Sequence, residues 1–315
     1  MRARFLLVPA VATLAASPLR SNEHDLPYWW HGQAGQDHTV ASLFGHERSI
    51  SGAKLPIHRS KLFFVDLAAN LPVRLSNTRA LERDHGWNGL CIDGNRALVA
   101  ELTRRRRCRA VHALLGTAAN MTFRDRSSSG FGAAVRCRAA SAQCQPTTSL
   151  ASILDQHGAP RTIHYLSLDL EGMENHVLQS FPHERYTFYA MTIERPGRAV
   201  TKWLLPQRGF RYAFDHGTFG DQLWIHESIP GGFDSALERA RASYARWVAA
   251  MSSPDWSHRS GRTARALQNI CGIPAEWVEH GVPSAPYARC AGKNVSCAGV
   301  HELDQGRDCS CRGVC

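Results

Sequence analysis

What the chain lacks narrows the field first. Beyond the N-terminus there is no apolar run of about 20 residues, the length needed to cross a bilayer as a helix, so an N-terminal anchor is the one membrane element the 315 residues offer. No Cys-x-x-Cys pair occurs among the ten cysteines, which weakens a zinc reading. There is no internal repeat and no long low-complexity segment, which argues against solenoids and disordered arrays. No DNA- or RNA-binding motif accompanies the basic charge balance. The loop after the first strong strand candidate, Leu67-Ala68-Ala69-Asn70, contains no glycine, so the G-x-G-x-x-G cradle for a pyrophosphate is missing.

What is present fits a folded enzyme-sized domain. A hydrophobic fraction of 43% with 20% charged residues is globular in character, and 315 residues suit one large domain plus an appendage. The formal net charge of +10 favours acidic surfaces or polyanions without naming one, and no specific nucleic acid is expected. Residues 1–21 resemble a secretory signal, with Arg2 and Arg4 ahead of a short apolar core and Ala15-Ala16-Ser17 as a cleavage site; an uncleaved anchor or an organelle transit peptide fits the same residues. Six cysteines, Cys271, Cys290, Cys297, Cys309, Cys311 and Cys315, crowd the C-terminus and suggest a small disulfide module. Cys137 and Cys144 are close enough in sequence to bridge. Cys108 suits a buried thiol. Asn120-Met121-Thr122 and Asn294-Val295-Ser296 are glycosylation acceptors if the chain is secreted.

The organising stretch is Lys61 to Asn95. Leu62–Val65 is a short apolar run ended by Asp66, and Ser76-Asn77-Thr78 supplies caps for a helix over Ala80–Arg83. After Gly86-Trp87-Asn88-Gly89, Leu90-Cys91-Ile92 forms a second strand ending in Asp93. A parallel strand–helix–strand unit binds nucleotides at the carboxyl ends of its strands, and an acid closing the second strand can accept from two ribose hydroxyls. With no pyrophosphate cradle, a phosphate-free adenosine cofactor with an amino-acid tail fits better, and S-adenosylmethionine is such a cofactor.

Val65-Asp66-Leu67-Ala68-Ala69-Asn70, the Gly86–Asp93 segment, Ser167–Leu178 (SLDLEGMENHVL) and Ile193-Glu194 follow one another in an order that resembles the FkbM-type methyltransferases. The resemblance covers Lys61 to His226, and the Leu166–Glu174 block is its most specific part. It implies an α/β fold with a Rossmann-like, seven-stranded, mostly parallel methyltransferase sheet, one strand antiparallel, beside a small cysteine-rich C-terminal extension. It implies S-adenosylmethionine as cofactor and O-methylation of a hydroxyl acceptor, a glycan or another small molecule. Asp66, Ala68 and Asn70 would hold the amino-acid part, Asp93 the ribose and Gly116 the adenine side, while Asp169 would face both the methyl group and the acceptor. Asp169 and Glu171 are the catalytic candidates; His164 and His216 are weaker bases. Glu171 and Glu194 could share a metal with Asp169, or could be rim carboxylates with structural roles; no metal ligand is assigned.

The chain thus divides into residues 1–21, an N-terminal arm 22–60, a catalytic domain 61–228, a helix and linker 229–263, and a cysteine-rich tail 264–315. Tyr28-Trp29-Trp30 in the arm is either a packing staple or a sugar platform. Arg96–Arg107 is predicted helical, its Arg104–Arg107 run solvated. Ala110–Leu114, Ile163–Leu168 and Tyr186–Ile193 are further strands, and Phe210–Phe214 with Gln222–His226 a closing antiparallel pair. Phe123–Thr148 reads as an inserted loop, covering a site or merely connecting. Phe233–Met251 is an amphipathic helix expected to pack on the domain through Leu237, Ala240, Tyr244 and Trp247. The competing reading is a secreted binding protein on a degenerate methyltransferase domain.

Overall fold

A computed structural model describes residues 31–45, 62–73, 75–116, 121–125, 132–137, 144–217 and 219–252. The signal-like segment, Tyr28-Trp29-Trp30, the Ser127–Gly130 stretch and the cysteine-rich tail lie outside them. Among the described residues no helix is long and apolar enough to cross a membrane.

Seven strands form one sheet: β1 (Phe63–Leu67), β2 (Asn88–Asp93), β3 (Arg109–His112), β6 (Thr162–Leu168), β7 (Thr187–Glu194), β8 (Phe210–His216) and β9 (Asp221–His226), in the order β3-β2-β1-β6-β7-β9-β8. β9 is antiparallel to both its neighbours and the other pairs are parallel. The residues between β3 and β6 hold a second, two-stranded antiparallel ribbon, β4 (Met121–Asp125) and β5 (Gly132–Arg136), followed by a Cys137–Cys144 disulfide. The expected inserted loop is therefore partly strand, and its predicted bridge is present.

Helices cover both faces, as a parallel sheet with two apolar faces requires. Val65, Leu67, Ile92, Leu166, Leu168, Met191 and Ile193 point to one side, against α4 (Leu150–Gln156), α5 (Glu174–Gln179) and the π-helical turn Val200–Leu204 that runs into α6 (Leu205–Gln207). Phe64, Cys91, Tyr165, Ala190, Leu223 and Ile225 point to the other, against α1 (Gln36–Leu43), α2 (Arg79–His85), α3 (Arg96–Arg105) and α7 (Phe233–Ser252). By strand alternation Asp66, Asp93, Ser167, Glu194 and Asp221 share this second face.

α7 packs as its spacing predicts: Phe233, Ala236, Ala240, Tyr244 and Trp247 are buried. The rings of Phe214, Tyr244 and Trp247 stack in series, with centroids 5.3 and 5.7 Å apart. Its partner is α1, which the sequence did not announce within the arm. Gly35, at φ 75°, opens α1 where a Cβ would come 2.6 Å from the Trp247 ring, so glycine is needed for both conformation and space. Ser42 Oγ donates to the Arg239 carbonyl (3.3 Å), and Arg239 Nη2 donates to that of Leu43 (3.0 Å).

Two further expectations are corrected. Cys108 is not a free thiol: it forms a buried disulfide with Cys91, across the β2–α3–β3 crossover. Nor is the whole arginine run solvated. Arg106 turns inward at the end of α3 with a fully buried side chain, because Glu82 on α2 supplies a buried carboxylate there.

Candidate functional site

The described chain has five non-glycine residues with left-handed backbone: Ala68, Asn70, Leu75, Glu171 and Arg195, at φ 43–61°. All five follow the carboxyl ends of β1, β6 or β7, three adjacent strands. Each such conformation costs on the order of 1–3 kcal/mol and persists only where surrounding contacts enforce it. The strain therefore marks the edge where the acids were expected.

β1 continues through Asp66 to Leu67 instead of stopping at Val65, so Asp66 lies inside the sheet, 3% exposed. Its Oδ2 accepts from Thr78 Oγ1 at 2.5 Å, and Ser167, its neighbour across the β1–β6 pairing, also bonds the carboxylate. Ser167 Oγ in turn accepts from Asn77 Nδ2 at 3.1 Å. With Thr78 turned inward, Ser76 Oγ caps α2 by accepting from Arg79 N (3.2 Å). Burial raises the Asp66 pKa, against the opposing pull of the Thr78 hydroxyl and the Arg106 charge.

Asp93 closes β2 as predicted. Its Oδ2 accepts from Asn70 N (2.9 Å) and its Oδ1 from Asn95 N (2.7 Å), tying the first loop to the start of α3. Burial raises its pKa; the two N–H donors and nearby His112 offset part of that. In the same loop Ala68 is left-handed and Ala69 N donates to the Ile92 carbonyl (3.1 Å). Gly116, at φ 148°, sits beyond β3 and donates to the Thr148 carbonyl (3.2 Å), at the entry to α4.

The β6–β7–β9 part of the edge is differently made. Asp169 hydrogen-bonds to Glu194, and burial, that bond and the charges of Glu194 and Glu171 together push the Asp169 pKa far up. Burial also raises Glu194, with Asp169 and Arg195 pulling the other way; the Arg195 guanidinium is 2.7 Å from Glu194. Asp221, paired opposite Glu194, is buried beside Asp169 and raised to about 7, chiefly by burial, while a Gln36 side-chain bond opposes the shift. Glu174, the first residue of α5, folds back to accept from Leu170 N (2.7 Å) and Gly172 N (3.0 Å), which holds the Glu171 turn in place. Oxygens of Asp169, Glu174 and Glu194 lie within 4.8 Å of one another, an arrangement among the described residues that could hold a cation. Glu174 thus stands where the sequence suggested Glu171.

The side-chain oxygens on this edge that are shielded from solvent and have no hydrogen-bond partner include Asn70 Oδ1, Asn77 Oδ1 and Asp169 Oδ1. Buried acceptors are seldom left without donors, so they mark where a donor-bearing ligand would sit.

No protein-family model and no curated protein matches this chain.

Both histidine candidates are packed instead of poised. His164 Nδ1 accepts from Phe63 N (3.1 Å) at the far end of β6, and burial lowers its pKa to about 4. His216 is fully buried between Phe214 and Tyr244, with burial lowering its pKa to about 3. Sequence reasoning missed Glu82, Arg106, Gln36 and Asp221. Arg106 and Glu82 lie 24 residues apart, outside any local pattern, and Gln36 sits in a helix without an apolar stripe.

Proposed function

We propose that the chain is an S-adenosylmethionine-dependent O-methyltransferase of the FkbM type, acting on a hydroxyl of a glycan or another small molecule in the secretory pathway. The observation that carries this is the set of donor-less oxygens of Asn70, Asn77 and Asp169, gathered beside a strained loop that Asp93 holds in place. Supporting it are the seven-stranded sheet with its one reversed strand and the absence of a glycine cradle for phosphates. The two disulfides fit an oxidising compartment.

The residues present fit the cofactor chemically. An α-amino group brings N–H donors to the Asn70 and Asn77 side-chain oxygens that lack them, and Asp93 stands at the strand end suited to a ribose diol. When bound, S-adenosylmethionine supplies an electrophilic methyl on a sulfonium sulfur. The chain's own task is to place the acceptor hydroxyl in line and remove its proton. Asp169 and Glu194 do this as a pair. Asp169 carries the proton and donates it to Glu194, so Asp169 Oδ1 is free to accept the hydroxyl hydrogen while the shared proton passes to Glu194. The pair works while it holds one proton and fails as pH drops and Glu194 takes a second, so methyl transfer should fall on the acid side.

The test is calorimetric titration of the disulfide-intact protein with S-adenosylhomocysteine. Micromolar binding that Asp93→Ala abolishes supports the assignment, and Asp169→Asn should weaken that binding by less than about tenfold, under about 1.4 kcal/mol. No binding at millimolar ligand would sink it and leave a binding protein on a degenerate domain.

A further inference from the structure

Among the described residues Arg106 is the one buried arginine or lysine, and its guanidinium is spread over the first loop. Nε donates to Glu82 Oε2 (3.1 Å), Nη1 to Ser76 Oγ (3.0 Å) and to the Pro72 carbonyl (3.4 Å), and Nη2 to Thr78 Oγ1 (2.9 Å). The loop's anchor points run from Pro72 to Thr78, bracketing left-handed Leu75 and following left-handed Ala68 and Asn70 in the same loop. Glu82 fixes the guanidinium from beneath. It also accepts from Arg79 Nη1 (2.9 Å), Arg107 N (2.9 Å) and Cys108 N (2.9 Å), and Cys108 is bonded to Cys91, two residues before Asp93.

The polarity of these bonds matters. A guanidinium only donates, so Thr78 Oγ1 must accept from Nη2, and its own proton is then directed to Asp66 Oδ2. On the other side of Asp66, Asn77 Nδ2 donates to Ser167 Oγ, which sends the serine proton to the same carboxylate. Asn77 Oδ1 is left as one of the donor-less oxygens of the site. Arg106 therefore sets both where the loop lies and which way its hydroxyl points.

We propose that Arg106 is a positioning residue for the ligand-binding loop, acting through Thr78 and Ser76 without touching the ligand. The proposal rests on the cofactor assignment for the choice of ligand, though not for the effect on the loop. The experiment compares Arg106→Lys, Thr78→Val and the double variant. It measures S-adenosylhomocysteine affinity by calorimetry, amide hydrogen exchange along the chain, and urea stability. Lysine keeps the charge and loses the fork. Each single variant should weaken binding roughly tenfold and speed exchange over residues 68–78 roughly tenfold, while β7, β9 and α7 keep their protection. Because the two groups act in series, the double variant should be no worse than the poorer single.

Losses that multiply in the double variant, exchange that rises evenly over the sheet, or an unchanged loop would each overturn the proposal. If the wild type does not bind S-adenosylhomocysteine, the cofactor assignment fails, and the exchange comparison alone decides whether Arg106 positions the loop. If Arg106→Lys does not fold, Ser76→Ala paired with Thr78→Val carries the same comparison.

Discussion

The two halves of the carboxyl edge solve the burial of acids in opposite ways. At β1 and β2, Asp66 and Asp93 are surrounded by donors: Thr78, Ser167, and the N–H groups of Asn70 and Asn95, with Arg106 behind them. At β6, β7 and β9, Asp169, Glu194 and Asp221 face one another, and Arg195, paired with Glu194, supplies counter-charge. The first half has its acids complete with donors before any ligand arrives and offers that ligand the Asn70 and Asn77 side-chain oxygens. The second is short of donors and keeps protons at pH values where exposed carboxyls have lost them, which suits proton transfer or capture of a cation. It also places an acidic patch at the proposed acceptor end of a chain whose formal net charge is +10.

If this contrast is real, removing a carboxylate should be ruinous on one side and harmless on the other. Glu82→Ala strands Arg106 as a buried unpaired charge and should cost about 3–5 kcal/mol in urea unfolding. Glu194→Gln relieves like-charge crowding and should leave stability unchanged or raised. Similar losses in both would remove the distinction.

The next effect concerns pH. Asp37, fully buried at the start of α1, and Asp221 both have folded pKa values raised to about 7 from 3.8. A raised carboxyl pKa means that the native state keeps its proton while the unfolded chain loses it. Stability is then full below about pH 4 and declines as pH rises towards 7, by at most about 4 kcal/mol per group. Asp221→Asn should flatten that decline and be at least as stable as wild type at pH 8. A steeper loss of stability with pH in the variant would show that Asp221 is held as a carboxylate.

The smallest effect separates stability from binding within the complete half. Asn95 Oδ1 caps α3 by accepting from Ala97 N (2.9 Å) and Leu98 N (3.4 Å), whereas the bond to Asp93 comes from the Asn95 backbone. Asn95→Ala should cost about 1 kcal/mol in thermal or urea unfolding and leave S-adenosylhomocysteine affinity intact. A large drop in affinity would mean that the Asp93 end is less rigid than its bonds suggest.

Much of this edge was legible in the sequence because short apolar runs end in acids. Leu90-Cys91-Ile92 before Asp93 and Tyr165–Leu168 before Asp169 are each a buried run meeting its first charged residue. What stayed hidden has identifiable causes. α1 carries Gln36, Asp37, Thr39 and Ser42 as buried side chains along with its apolar ones, so it has no stripe for periodicity to detect. Arg106 looked like its exposed neighbours Arg104 and Arg105 because local charge patterns cannot reveal a partner on another helix. The β4 and β5 strands flank a polar, serine- and glycine-rich stretch of sequence, so this part of the chain carries little strand signal.

The pairing of α1 with α7 also has a consequence for how the chain is made. Ser42 and Arg239 are 197 residues apart, yet each helix covers the other's apolar side. At about 5–20 residues per second of synthesis, α1 waits on the order of 10–40 s before its partner exists. During that interval its Val40, Leu43 and Phe44 have no native cover from α7. A nascent chain of this protein should therefore recruit chaperones through α1 and release them only when α7 emerges.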